Sequence, residues 1–143
     1  MNEITMTKLS VTGALTALTL WLGNLAVPLY VLVGAMLIDY LTGLRAASYR
    51  GEAISSYRSI TGIERKICTL LLVAVGWLLD TLLADTAARY AIQLPVAPPI
   101  AVILSIWLTV NETISILENI RDIGVPLPPW LLPLVRNIKS KVN

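Results

Sequence analysis

Asp39, Asp80, Asn111, Glu112, Ser115 and Glu118 are polar or ionisable side chains set within or at the ends of long apolar stretches. An aspartate at the centre of a membrane helix costs about 2.5–3.5 kcal/mol on insertion scales, so such groups face protein or water rather than lipid. Asn111, Ser115, Glu118 and Asp122 recur at i, i+4, i+7 and i+11, which is one face of a helix. Glu112 and Asn119 broaden that face, while Ile106, Val110, Ile114, Leu117 and Ile120 lie opposite, towards lipid. Asp39 closes an earlier apolar run and is followed by Thr42 and Gly43; Asp80 stands in the last turns of another. Two roles fit these residues. They join helices by hydrogen bonds inside the bilayer, or they form the wetted wall of an oligomeric pore, and the same groups can serve both.

Other chemistry lacks its materials. Without histidine, and with Cys68 as the one cysteine, a Ser-His-Asp triad, a zinc site and an internal disulfide are out of reach. No catalytic residue, cofactor or metal is expected, and a net charge of +2 is too small for a nucleic-acid binder. Of 143 residues, 56% are hydrophobic and 14% charged, and the mean hydropathy is +0.74. Soluble domains average ~45–50% apolar and ~25% charged residues. A soluble chain this short has too little interior to hide such a composition. The expectation is a small all-α integral membrane protein.

Its elements follow from charge-free runs and breakers. Leu9–Ile38 is uncharged for 30 residues, against the ~20 needed to cross a hydrocarbon core. Gly23-Asn24 and Pro28 divide it, predicting helices over about 7–22 and 27–47; one long first helix is the alternative. A capping-box pattern, Thr61-x-x-Glu64, opens a third segment over about 61–84. Pro95, Pro98 and Pro99 precede a fourth over about 100–123, which Gly124 and Pro126 stop. The chain thus reads as one membrane domain over 1–143, with four hydrophobic helices or, in the alternative, three crossings. The tail 125–143 carries Trp130, Leu131, Leu134, Val135 and Ile138 in a pattern that suits a short amphipathic helix at the interface.

Lysine and arginine set orientation. Arg45, Arg50, Arg58, Arg65 and Lys66 surround the connection between the second and third segments, and Arg136, Lys139 and Lys141 lie in the tail. Two crossings separate these basic regions, so both can meet cytoplasmic anionic headgroups. Four crossings would put the N-terminus inside as well, three outside. Gly13 with Ala17, and Gly43 with Ala47, offer small-xxx-small contacts for helix packing, within one chain or between copies.

Asp39-Tyr40-Leu41-Thr42-Gly43-Leu44-Arg45-Ala46-Ala47, together with the motifs that follow it, resembles the D-Y-x-T-G-x-x-A-A signature of the bacteriophage holin family linked to lysis and toxin secretion. Gly62-Ile63-Glu64-Arg65-Lys66 resembles its G-I-x-R-K element, and Asn111 through Asn119 its N-E-x-I-S-I-L-E-N motif. Gly124-Val125-Pro126-Leu127-Pro128 is similar to its G-x-P-x-P exit, and the set spans roughly Leu29 to Pro128 in the family's order. The resemblance implies a non-enzymatic multi-pass protein of the bacterial inner membrane that accumulates, oligomerises with itself and opens lesions. Its functional partner would be an endolysin or a secreted toxin. A small ion or solute channel or transporter subunit, and a membrane scaffold acting through the loop Tyr49–Lys66, are the competing readings of the residues.

Overall fold

The computed structural model describes residues 2–52, 56–93, 99–131 and 133, without the side chains of 56–59. Four α-helices follow one another: α1 Glu3–Leu22, α2 Ala26–Tyr49, α3 Ser56–Arg89 and α4 Ile100–Asp122. Among the described residues there is no strand.

Helices α1 and α2 are joined by a single 3-10 turn, Gly23–Leu25. Gly23 has φ +53°, a left-handed conformation that glycine adopts without steric cost. Thr19 Oγ1 lies 2.8 Å from Tyr30 Oη. Eleven residues of straight helix would separate their backbones by ~16 Å, so the chain bends at this turn. Pro28 falls in the first turn of α2, where its missing N–H removes no helical bond. The interruption is therefore brief. By length and apolarity three helical runs can cross a membrane: Glu3–Tyr49, Ile60–Arg89 and Ile100–Asp122. The four expected helices are thus present, with α1 and α2 joined so closely that they count as one membrane-capable run, which fits the alternative of three crossings.

The third segment begins earlier than predicted. Thr61 and Glu64 lie inside α3, so they do not form a capping box at its start. Nothing between Ser56 and Ile60 is a breaker, and the helix continues past the predicted end to Arg89, helped by an Asp85–Arg89 pair of 2.6 Å at i,i+4. Helix α4 keeps its predicted limits to within a residue. Gly124, at φ +97°, ends it with its own N–H on Arg121 O and that of Val125 on Ile120 O, at 2.9 and 3.2 Å.

Helix α4 is central, with α2 and α3 both packed against it. The inward positions alternate spacings of four and three residues. On α2 and the turn before it they are Leu25, Leu29, Leu32, Met36, Asp39, Gly43 and Ala46; on α4 they are Ala101, Ser105, Leu108, Glu112, Ser115, Asn119 and Asp122. On α3 they are Lys66, Thr69, Val73, Gly76, Asp80 and Ala87. A mean spacing near 3.5 residues is that of a coiled-coil seam, which keeps one narrow face of each helix towards its neighbour. The apolar centre is Leu25, Leu32, Met36, Val73, Ala101 and Leu108. Gly76 brings α3 close, since a Cβ there would lie 2.7 Å from Leu104 Cδ1 and 3.2 Å from Ala101 Cα. Helix α1 buries none of its residues; its Trp21 ring reaches Trp77 of α3 at 4.9 Å between centroids.

Candidate functional site

The seams contain charges. Lys66, half-buried on α3, donates from Nζ to Asp39 Oδ2 of α2 at 2.9 Å and also to Glu112 Oε2 of α4. One ammonium thus joins two carboxylates from two other helices. The three side chains are 20%, 16% and 15% exposed respectively, and together they carry a formal charge of −1. Asn119 Nδ2 completes the arrangement by donating to Asp39 Oδ1 at 3.0 Å and Thr42 Oγ1 at 3.2 Å. Thr42 in turn donates to the Ile38 and Asp39 carbonyls at 2.9 and 3.1 Å. Among the described residues no buried side-chain nitrogen or oxygen lacks a partner. Such pairing is what makes charges tolerable at this depth.

The level of this bridge follows from helix rise. Arg50 Nη1 donates to Asp122 Oδ2 at 2.7 Å, tying the C-terminal ends of α2 and α4 together. Asp39 and Glu112 lie about ten residues inside those ends, or about 15 Å along the helices. Arg50 also donates to Glu52 at 2.9 Å, and its guanidinium pKa is raised, first by that bond and then by the one to Asp122. It stays charged throughout the accessible pH range.

The opposite end of the α3–α4 contact has its own polar fastening. Asp80 accepts from the Ile100 N–H at 2.9 Å and the Ala101 N–H at 2.8 Å. The residue before α4, Pro99, supplies no side-chain cap. The carboxylate of a different helix therefore satisfies two free donors at the positive end of the α4 dipole.

Of the predicted site residues, the structure brings Asp39, Thr42 and Glu112 together. Gly43 lies beside them, with room for a Cβ 3.5 Å from Asn119 Nδ2. Asn111 is exposed, and Ser115 and Glu118 are half-buried outside the bridge. The inward face of α4 is turned by about 60° from the predicted Asn111–Glu118 line. Lys66, expected among the cations facing headgroups, instead points into the bundle, because two carboxylates await it there. Arg45 and Arg65 are exposed. Gly13 and Ala17 are exposed on α1, with nothing within 4 Å of a Cβ at Gly13, so they pack no helix of this chain. Beside half-buried Ala47, Ala46 is the residue fully enclosed. The Arg58 side chain, Arg136, Lys139, Lys141 and the remainder of the tail after Pro133 lie outside the described residues.

Sequence reasoning missed Lys66 as a bridge and Gly76 as the close contact. The signal was present. Lys66, Thr69, Val73, Gly76 and Asp80 are spaced 3-4-3-4, and small or polar residues at that spacing mark a helix interface in lipid. Among the described residues no group of His, Cys, Asp and Glu is arranged to hold a metal ion.

Residues 16–140 match the bacteriophage holin family. An uncharacterised protein of Halalkalibacterium halodurans is 34% identical over 118 residues, which is 82% of either chain. One from Clostridium perfringens is 29% identical over 136 residues, 95% of this chain and 93% of its own. A third, from Listeria monocytogenes, is 34% identical over 112 residues, 78% of this chain and 71% of its own. No solved structure matches. The family match takes in α2, α3 and α4 with the whole Asp39–Lys66–Glu112 bridge, and three runs fit to cross a bilayer make this a multi-pass membrane protein. The chain belongs to the bacteriophage holin family.

Proposed function

We propose that this protein permeabilises the inner membrane of a bacterial host as a homo-oligomer, opening lesions through which a phage endolysin, or a secreted toxin, passes. The observation that carries the reading is the charged bridge in the seam between helices whose outer faces are apolar. Leu37, Leu41, Leu71 and Val110 are exposed near it, and Leu78 and Ile103 farther along the same helices, as lipid contact requires. The mechanism has three steps. Chains accumulate with Asp39 and Glu112 paired to Lys66, and their apolar exteriors leave the bilayer sealed. Rising density favours larger assemblies by mass action. The seams then part, and the acids and amides that were paired inside one chain turn to water.

The protein acts without catalysis, and its basic end, marked by Arg45, Arg50 and Arg65, faces the cytoplasm. Three crossings then put the N-terminus outside. Co-expression with an endolysin tests the proposal: abrupt lysis after a delay, with release of a folded enzyme, is the expected outcome. An ion-selective current without enzyme release would move the function to a channel. An intact barrier at high membrane levels would leave a scaffold.

A further inference from the structure

We infer that the Asp39–Lys66–Glu112 bridge is a latch about which α3 is released, and that Lys66 is the residue positioning α3 in the sealed state. This deepens the permeabiliser reading and rests on it for its consequence, though not for its geometry. Helix α3 is attached unevenly. From Leu70 onward it packs on the apolar centre, through half-buried Leu70 and Trp77 and buried Val73, and Gly76 lies against Ala101. Asp80 then caps α4 with two hydrogen bonds. Between Ile60 and Thr69 no side chain of α3 is buried, and Lys66 reaches across to both other helices. The far half is therefore held by close packing and a helix cap, whereas the near half is joined by an ion bridge.

The charge count gives the bridge its switch character. Two acids share one base, so removing the base leaves two carboxyl groups from α2 and α4 facing each other without their cation. Breaking such a set by deleting one member is far more destabilising than replacing the whole set with neutral groups. If Lys66 lets go, α3 can pivot about its Gly76–Asp80 attachment while the rest of the bundle stays. The parted seam then presents Asp39 and Glu112 to solvent or to another copy.

The test uses the full chain. Lys66→Met keeps an unbranched side chain, one heavy atom shorter, and removes the charge; the triple variant Lys66→Met/Asp39→Asn/Glu112→Gln removes the imbalance too. At equal membrane levels, the single variant is expected to permeabilise cells at least about twofold earlier, with the triple variant returning towards wild-type timing. A second readout needs no leak. Spin labels on Cys68 and Val110→Cys, both exposed sites, report the near half of the α3–α4 contact in lipid nanodiscs. Labels on Leu79→Cys and Ile103→Cys, in a Cys68→Ser background, report the far half. Lys66→Met should raise the ratio of separated to closed near-half populations by about tenfold or more, leave the far-half distance unchanged, and be reversed in the triple variant. Unchanged near-half distances, or broadening that the triple variant does not reverse, would overturn the latch. A wild-type protein that never permeabilises would overturn the functional reading instead, and the distance measurements would still judge the latch.

Discussion

Gly76 and Gly34 are both glycines inside long apolar helices, yet substitution by alanine should move stability in different ways. Any glycine-to-alanine change in a helix interior recovers about 0.5–1 kcal/mol of backbone propensity. At Gly34 a new Cβ meets nothing within 4 Å, so that gain stands alone. At Gly76 the Cβ would come 2.7 Å from Leu104 Cδ1, 3.2 Å from Ala101 Cα and 3.3 Å from Ala101 N. Leu104 can turn its tip aside. Ala101 cannot retreat, because its N–H is bonded to Asp80 at 2.8 Å and its Cα belongs to the first turn of α4. Helix α3 must therefore move off by a few tenths of an ångström, and overpacking of this kind costs about 1–3 kcal/mol. Both variants share the propensity gain, so their difference isolates the packing cost. Reversible unfolding in mixed micelles, followed by tryptophan emission with Trp77 beside the mutated site, measures it. Gly34→Ala should be the more stable by about 1–3 kcal/mol. Equal stabilities to within about 0.5 kcal/mol would refute the close approach of α3 to α4 at this point.

Asp80→Asn keeps the shape but removes the charge that faces two N–H donors; it should cost about 1–2 kcal/mol and speed hydrogen exchange at Ile100 and Ala101, and unaltered exchange there would remove Asp80 as the cap of α4. The rotation of the polar face of α4 predicts opposite outcomes for its two asparagines. Asn119→Leu strips hydrogen bonds from Asp39 and Thr42 and should destabilise by about 1–3 kcal/mol, whereas exposed Asn111→Leu should stay within about 0.5 kcal/mol of wild type in the same titration. The reverse order would restore the Asn111–Glu118 line as the buried one.

Much of the architecture was legible because insertion depends on quantities summed along the chain. Apolar length and the absence of charge located the membrane runs, and the limits of α4 followed from Pro99 before it and Gly124 after it. The break at Gly23 was also readable, but not its size. One 3-10 turn and a proline in a tolerated position join α1 to α2 without a loop, so the two helices make one apolar run. The capping box misled for a related reason. A local motif states that a helix can start there, while the unbroken sequence upstream lets it start sooner.

What the sequence by itself determined is that this is a helical membrane protein with acids and amides in its apolar runs, including Asp39 and Glu112, and without the histidine that a Ser-His-Asp triad needs. Tertiary structure alone decided which partners those groups have: that Lys66 leaves the headgroup level to bridge two helices, that Asn119 rather than Asn111 holds Asp39, and that Asp80 caps a helix other than its own. The physical reason lies in the solvent. In water the apolar face of a helix points to its neighbours, so periodicity reveals the interface. In lipid the outer face is as apolar as the inner one, and the contrast that would show it is lost. Only the small and polar residues of the seams mark the inside, and which of them meet is fixed when three helices settle into register.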